Sequence, residues 1–171
     1  MKYIITMLIF ILFIGCKASP EPQKNILQSE NLGILLLTFE TKIDKNEVKT
    51  LSNELLLQSK VLKNRYKLVK PPLFHNFLVN IGIKDRGLCW HFAYDMLNHA
   101  KKLNLKSFDY YIGGANIDDY WEEHNSLVIT CKGCEFYNGI VVDPWRNSGK
   151  LYYSKIKYDK EYNWTQRGDK R

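Results

Sequence analysis

The chain opens with Met1-Lys2 and an apolar run from Tyr3 to Ile14, followed by Gly15-Cys16 and a polar stretch from Lys17 to Glu30. Leu32 to Phe39 is again apolar, but at this length a buried strand and a buried helix leave the same pattern, so its type stays open. Asp44-Lys45-Asn46-Glu47 has the spacing of a capping box, in which Asp44 accepts from first-turn amides and Glu47 reaches back. Val48, Leu51, Leu55 and Leu62 then recur at helical intervals and predict a helix over about residues 45–65. Lys70-Pro71-Pro72 ends it, residues 73–79 read as one or two helical turns, and residues 82–87 read as a connection. A second amphipathic helix is predicted from Leu88 to Leu103, because Cys89, Phe92, Ala93, Met96, Ala100 and Leu103 fall on one stripe.

After Asn104 the texture becomes β-like. Strands are predicted at Phe108–Ile112, Asn125–Cys131, Ile140–Val142 and Leu151–Tyr153, with Gly113-Gly114 as a break. Helices come first and strands second, which predicts an α+β domain with an antiparallel sheet packed on the Cys89 helix. With 171 residues, 45% hydrophobic and 25% charged, the chain has room for one globular domain. Collagen, coiled coil and wholesale disorder are excluded by that composition.

The positive start, short greasy centre and small residue before Cys16 form a secretory pattern, too short to span a bilayer, where about 20 apolar residues are needed. Residues 1–15 are therefore expected to be a signal peptide, 16–31 a tether and 32–171 the folded domain. Leu12-Phe13-Ile14-Gly15-Cys16 resembles the lipobox of bacterial lipoproteins, although Phe13 stands where Leu is usual. That resemblance implies acylation of Cys16, with anchoring by several chains to the outside of the cytoplasmic membrane in a bacterial cell envelope. The formal charge is +7. Its lysines are scattered with no run of five like charges, which argues against both a nucleic-acid arm and a polybasic lipid signal and favours a solvated surface, with room for some attraction to anionic lipid headgroups or cell-wall polymers near an anchor.

Cys89 opens a helix, where unpaired backbone amides and the helix dipole favour a thiolate. It needs a base. His91 lies two residues along the same helix and is expected to point away, His99 lies further along, His75 sits in the Pro-flanked connection, and His124 opens a predicted strand. If Lys132-Gly133 is a two-residue hairpin turn, paired positions sum to 265, His124 faces Val141, and Asp143 is its same-face diagonal neighbour at about 7–8 Å. The competing turn, Asn138-Gly139, would separate the two. A carboxylate beside the imidazole would orient it and stabilise its cation.

The segments Arg86-Gly87-Leu88-Cys89-Trp90-His91-Phe92-Ala93, His124-Asn125-Ser126-Leu127-Val128 and Ile140-Val141-Val142-Asp143-Pro144-Trp145 resemble the transglutaminase-like branch of the papain-like cysteine hydrolases. The resemblance covers roughly residues 82–153. It implies Cys89 as nucleophile, His124 as base and Asp143 as orienting acid, with acyl transfer from a peptide or protein amide to water or an amine, and without metal or cofactor. Asn125-Ser126 depart from the aromatic residue that often accompanies the family's His. The Cys89 amide is the first expected oxyanion donor, with Asn76 and Asn80 as candidates for the second. Trp90 and Trp145 are candidates to line a substrate groove, and Arg86 and Arg146 to meet an acidic group or form ion pairs. The alternative is a non-catalytic lipoprotein that keeps the fold as a binding or scaffold module.

Cys131-Lys132-Gly133-Cys134 admits four readings in an exported chain: a tight-turn disulfide, reduced structural thiols, half of a zinc site completed by Cys89 and His91, or a thioredoxin-type redox couple, disfavoured by its place between strands.

Overall fold

The computed structural model describes residues 21–39, 43–119 and 122–168. The signal segment 1–15 and Cys16 lie outside the described residues. Among the described residues four helices, α1 (Glu21–Leu36), α2 (Lys45–Arg65), α3 (Pro72–Asn80) and α4 (Cys89–Lys102), precede five strands. The strands are β1 (Phe108–Ala115), β2 (His124–Cys131), β3 (Ile140–Asp143), β4 (Tyr152–Lys155) and β5 (Thr165–Gln166). They form one antiparallel sheet in the order β4-β3-β2-β1-β5. The fold class is thus α+β, with the helices packed on the sheet.

The tether expected over residues 16–31 is helical from Glu21 onward. Helical propensity did not decide this. Leu32 and Leu36 are fully buried, and Ser29 donates a hydrogen bond to Asn53 of α2, so tertiary burial of the second half carries the polar first half along. The same burial makes the apolar stretch from Leu32 helical up to Leu36.

At the start of α2, Asp44 accepts from Asn46 N–H at 2.7 Å and Glu47 N–H at 3.2 Å, an N-cap worth about 1 kcal/mol. Glu47 does not reach back. Its carboxylate instead accepts from the Lys106 and Ser107 amides at 2.9 and 2.8 Å, tying the helix start to the approach of β1.

The main core lies between α2, α4 and one face of the sheet, where Leu51, Leu55, Phe92 and Met96 meet Leu127, Ile129, Ile140 and Val142, all fully buried. Each such side chain contributes roughly 1.5–3 kcal/mol relative to exposure. The opposite sheet face carries a second cluster of Val128, Val141, Phe136, Ile156 and Trp164. β2 is consequently buried along its whole length, with helices on one side and the C-terminal segment on the other.

Gly113-Gly114 does not break β1, which continues to Ala115. A Cβ at Gly113 would press on Val128 and Trp164, so the missing side chain makes room for Trp164 across the strand. The β2–β3 register also differs from the tight-hairpin expectation. Leu127 pairs with Val142, Val128 with Val141 and Ile129 with Ile140, so paired positions sum to 269. A disulfide-closed turn at Cys131–Cys134 and a 3-10 turn at Phe136–Asn138 lengthen the connection. The shift is four positions, an even number, so every side chain keeps its predicted face.

Candidate active site

The N-terminus of α4 abuts the start of β2. The Cys89 thiol lies 3.8 Å from the Glu123 carbonyl and retains 7% exposure. The approach to this helix is built by two histidines. His75 is fully buried, accepts from Val69 N–H through Nδ1 at 3.2 Å, and holds the Arg86 carbonyl through Nε2 at 2.9 Å. His91 Nδ1 accepts from both the Gly87 and Leu88 amides at 3.1 Å. His91 is buried and caps its own helix, because Leu88 has no polar side chain to do so. Burial, followed by the Arg86 charge, pushes the His91 pKa down to about 4, so the ring stays neutral and can accept. Gly87 has φ of 122°, and a Cβ there would collide with the His75 ring.

His124 and Asp143 share the sheet face turned away from the helices. In the observed register Asp143 falls opposite Ser126, two residues from His124, which is the diagonal relation reached from a different pairing. His124 Nε2 and Asp143 Oδ2 are 2.6 Å apart, and both side chains are 2% exposed or less. Asp143 Oδ1 also accepts from the Trp145 and Arg146 amides at 3.0 and 3.1 Å, and Oδ2 from Arg146 Nε at 3.1 Å. Burial would raise this carboxyl, but the His124 charge and hydrogen bond and the Arg146 guanidinium outweigh it and hold the pKa below the usual range. Burial likewise opposes the His124 cation. The Asp143 charge and hydrogen bond, with contributions from Cys89, prevail and raise the imidazole to about 9.

Cys89 is among the groups that raise His124, so the thiol lies near the imidazole. Nε2 is held by Asp143, and His124 Nδ1 is buried with no hydrogen-bond partner among the described residues, which leaves Nδ1 as the uncommitted nitrogen on the ring. Of the three residues singled out from sequence, His124 and Asp143 are hydrogen-bonded and Cys89 lies near them at the start of α4.

Around them stands a shell that sequence reasoning largely missed. Trp145, Tyr162 and Trp164 surround the His124 ring at centroid distances of 4.8, 4.5 and 5.4 Å. Arg146 bridges Asp143 to Asp159, with Nη2 2.7 Å and Nη1 3.1 Å from the second carboxylate. Tyr152 and Tyr162 lie against its guanidinium at 3.9 and 4.7 Å. Asp159 in turn accepts from Trp164 Nε1–H at 2.8 Å. The sequence signal was an aromatic and acidic cluster, Tyr158-Asp159-Lys160-Glu161-Tyr162-Asn163-Trp164, close behind the last apolar strand.

Trp145 is buried beside His124 and donates its indole N–H to Asn76 Oδ1 at 3.1 Å, so its role is to pack and tether as an inner wall of the site. Trp90 is half-buried against His91 at 3.7 Å. Arg86 pairs with Asp95 at 3.4 Å. Asn76 uses its carbonyl on Trp145 and keeps its amide NH2 uncommitted, whereas Asn80 is exposed at the end of α3.

Cys131 and Cys134 form a disulfide at the other end of β2, with Cα atoms 5.3 Å apart. This removes both from the zinc set considered with Cys89 and His91, and no metal-binding cluster of three such ligands occurs among the described residues. No described helix is long and apolar enough to cross a membrane.

Comparison of the chain with protein-family models, with curated proteins and with solved structures finds no match. What fold and site define is an α+β domain in which a helix-initial thiol, an imidazole and a carboxylate meet behind aromatic cover.

Proposed function

We propose that this protein is a cysteine hydrolase or acyltransferase of transglutaminase-like, papain-like fold, held by lipid on Cys16 outside the cytoplasmic membrane of a bacterial envelope. Its substrates are peptide or protein amides. The single observation that carries the reading is the buried Asp143–His124 pair at 2.6 Å, with the unpartnered Nδ1 of the same imidazole near the Cys89 thiol at the helix start. A structural cysteine has no need of an imidazole whose cation is favoured beside it.

In this reading the Cys89 proton resides on His124 Nδ1, and the thiolate attacks the amide carbon. The carbonyl electrons move to oxygen, where the Cys89 amide N–H and the Asn76 side-chain NH2 receive the charge. As the C–N bond breaks, the imidazolium gives its proton to the leaving amine. Water or an amine then attacks the thioester while His124 takes its proton, and the thiolate leaves. Asp143 stays ionised throughout and fixes the ring orientation. The disulfide supports an oxidising compartment, in keeping with export.

Iodoacetamide labelling across pH tests the proposal. Cys89 should alkylate in the folded protein, and the rate should fall at least about tenfold in His124→Ala. A thiol that reacts only after denaturation, or that ignores the loss of His124, would leave a non-catalytic binding or scaffold module as the better description.

A further inference from the structure

On the outside of the molecule, two features meet at Lys70. The first is a cleft of about 380 Å3 between α1, α2 and the turn before β4, whose lining includes Asn25, Lys60, Lys63, Lys70 and Lys150 and no acidic side chain. None of the four lysines takes part in an ion pair among the described residues. The second begins three residues later. Leu73, Phe74, Phe77, Ile81 and Ile83 are 46–65% exposed along α3 and the turn that follows, with the Phe74 and Phe77 rings stacked at 6.3 Å. Five large apolar side chains open to solvent within eleven positions mark a surface built to be covered.

We propose that this face docks flat on an anionic bilayer. The lysine cleft takes the phosphates of lipid headgroups, and the α3 side chains enter the boundary of the acyl region. Charge complementarity selects that occupant, because lysine ammonium groups match a diffuse negative surface, whereas lysine is depleted in protein–protein interfaces. Chain length agrees with it. Asn25 lines the cleft, and α1 begins five residues after Cys16, a span of about 18 Å at full extension, so a lipid there keeps this side of the domain near the membrane. The docking uses the lipid-anchor reading for proximity alone and is independent of the thiol chemistry.

The full chain reconstituted into vesicles provides the test, since its N-terminal segment attaches equally to any lipid and only the domain's own contact varies. Lysines are acylated with an amine-reactive reagent and located by mass spectrometry, in pure phosphatidylcholine and in vesicles about one third phosphatidylglycerol. Lys60, Lys63, Lys70 and Lys150 should become at least about threefold less reactive in the anionic vesicles, while exposed Lys101 and Lys106 stay unchanged. Leu73→Ser/Phe77→Ser, at two surface positions, should reverse most of that protection without changing the alkylation rate of Cys89. Equal reactivity in both vesicles overturns the proposal, as does protection unaffected by the double substitution. Protection by soluble polyphosphate without lipid would mean an anion groove only, and protection that follows protein concentration would mean self-association; either outcome also overturns it.

Discussion

Replacing Arg146 by Met should expose how the site is held together. The Arg146 side chain is 7% exposed, and the carboxylates it bridges, Asp143 and Asp159, are each 1% exposed. After the change Asp143 keeps His124 and two backbone amides. Asp159 loses both guanidinium bonds and keeps only Trp164 Nε1–H and the Glu161 amide. Met preserves the apolar packing between Tyr152 and Tyr162, so the deficit is electrostatic and falls mainly on Asp159. Breaking a buried pair from one side costs about 3–5 kcal/mol, because it strands a buried charge. In a domain of this size that lowers the melting temperature by about 10 °C. Thermal and urea unfolding of the oxidised protein measure it. Adding Asp159→Asn removes the stranded charge and should recover more than half of the loss. Both carboxyls are held below their usual pKa, so their contribution is present above the ordinary carboxylate range and is lost as pH falls. The gap between wild type and Arg146→Met should therefore narrow in acid. A loss below about 1 kcal/mol, the size of an exposed pair, or a double variant no better than the single one, would refute this account.

Other outcomes follow from the same geometry. Asp143→Asn removes the strongest influence raising His124, so NMR titration should show its pKa falling from about 9 toward 6.5. In the wild type, the stability this raised pKa contributes is full below 6.5 and is lost as pH rises through about 9; the variant should lose that alkaline limb. Gly87→Ala forces a Cβ into the His75 ring at φ of 122°, and should cost about 1–3 kcal/mol together with slower Cys89 alkylation. Cys131→Ala/Cys134→Ala opens a short loop and should cost about 2 kcal/mol in chemical denaturation. Because that disulfide and His124 occupy opposite ends of β2, Cys89 alkylation should be unaffected by its loss.

The pattern along the chain determined what depends on short-range regularity. Helical spacing of Val48 to Leu62 and of Cys89 to Leu103 placed α2 and α4, Asp44 marked a cap, and short runs rich in β-branched residues placed β2 and β3. Strand parity was sufficient to set His124 and Asp143 on one face, since an even register shift leaves faces unchanged. What only the tertiary structure decided are interactions that local pattern does not encode. Burial of Leu32 and Leu36 made a helix of residues expected to be a tether, and Glu47 turned from its own helix to the amides before β1. His91 turns back to cap the start of its own helix. The C-terminal Asp159, Tyr162 and Trp164 carry no periodic signal, yet they close over the imidazole and hold the arginine behind its acid. Their roles come from desolvation and charge pairing between distant segments, which exist only once the chain has brought those segments together.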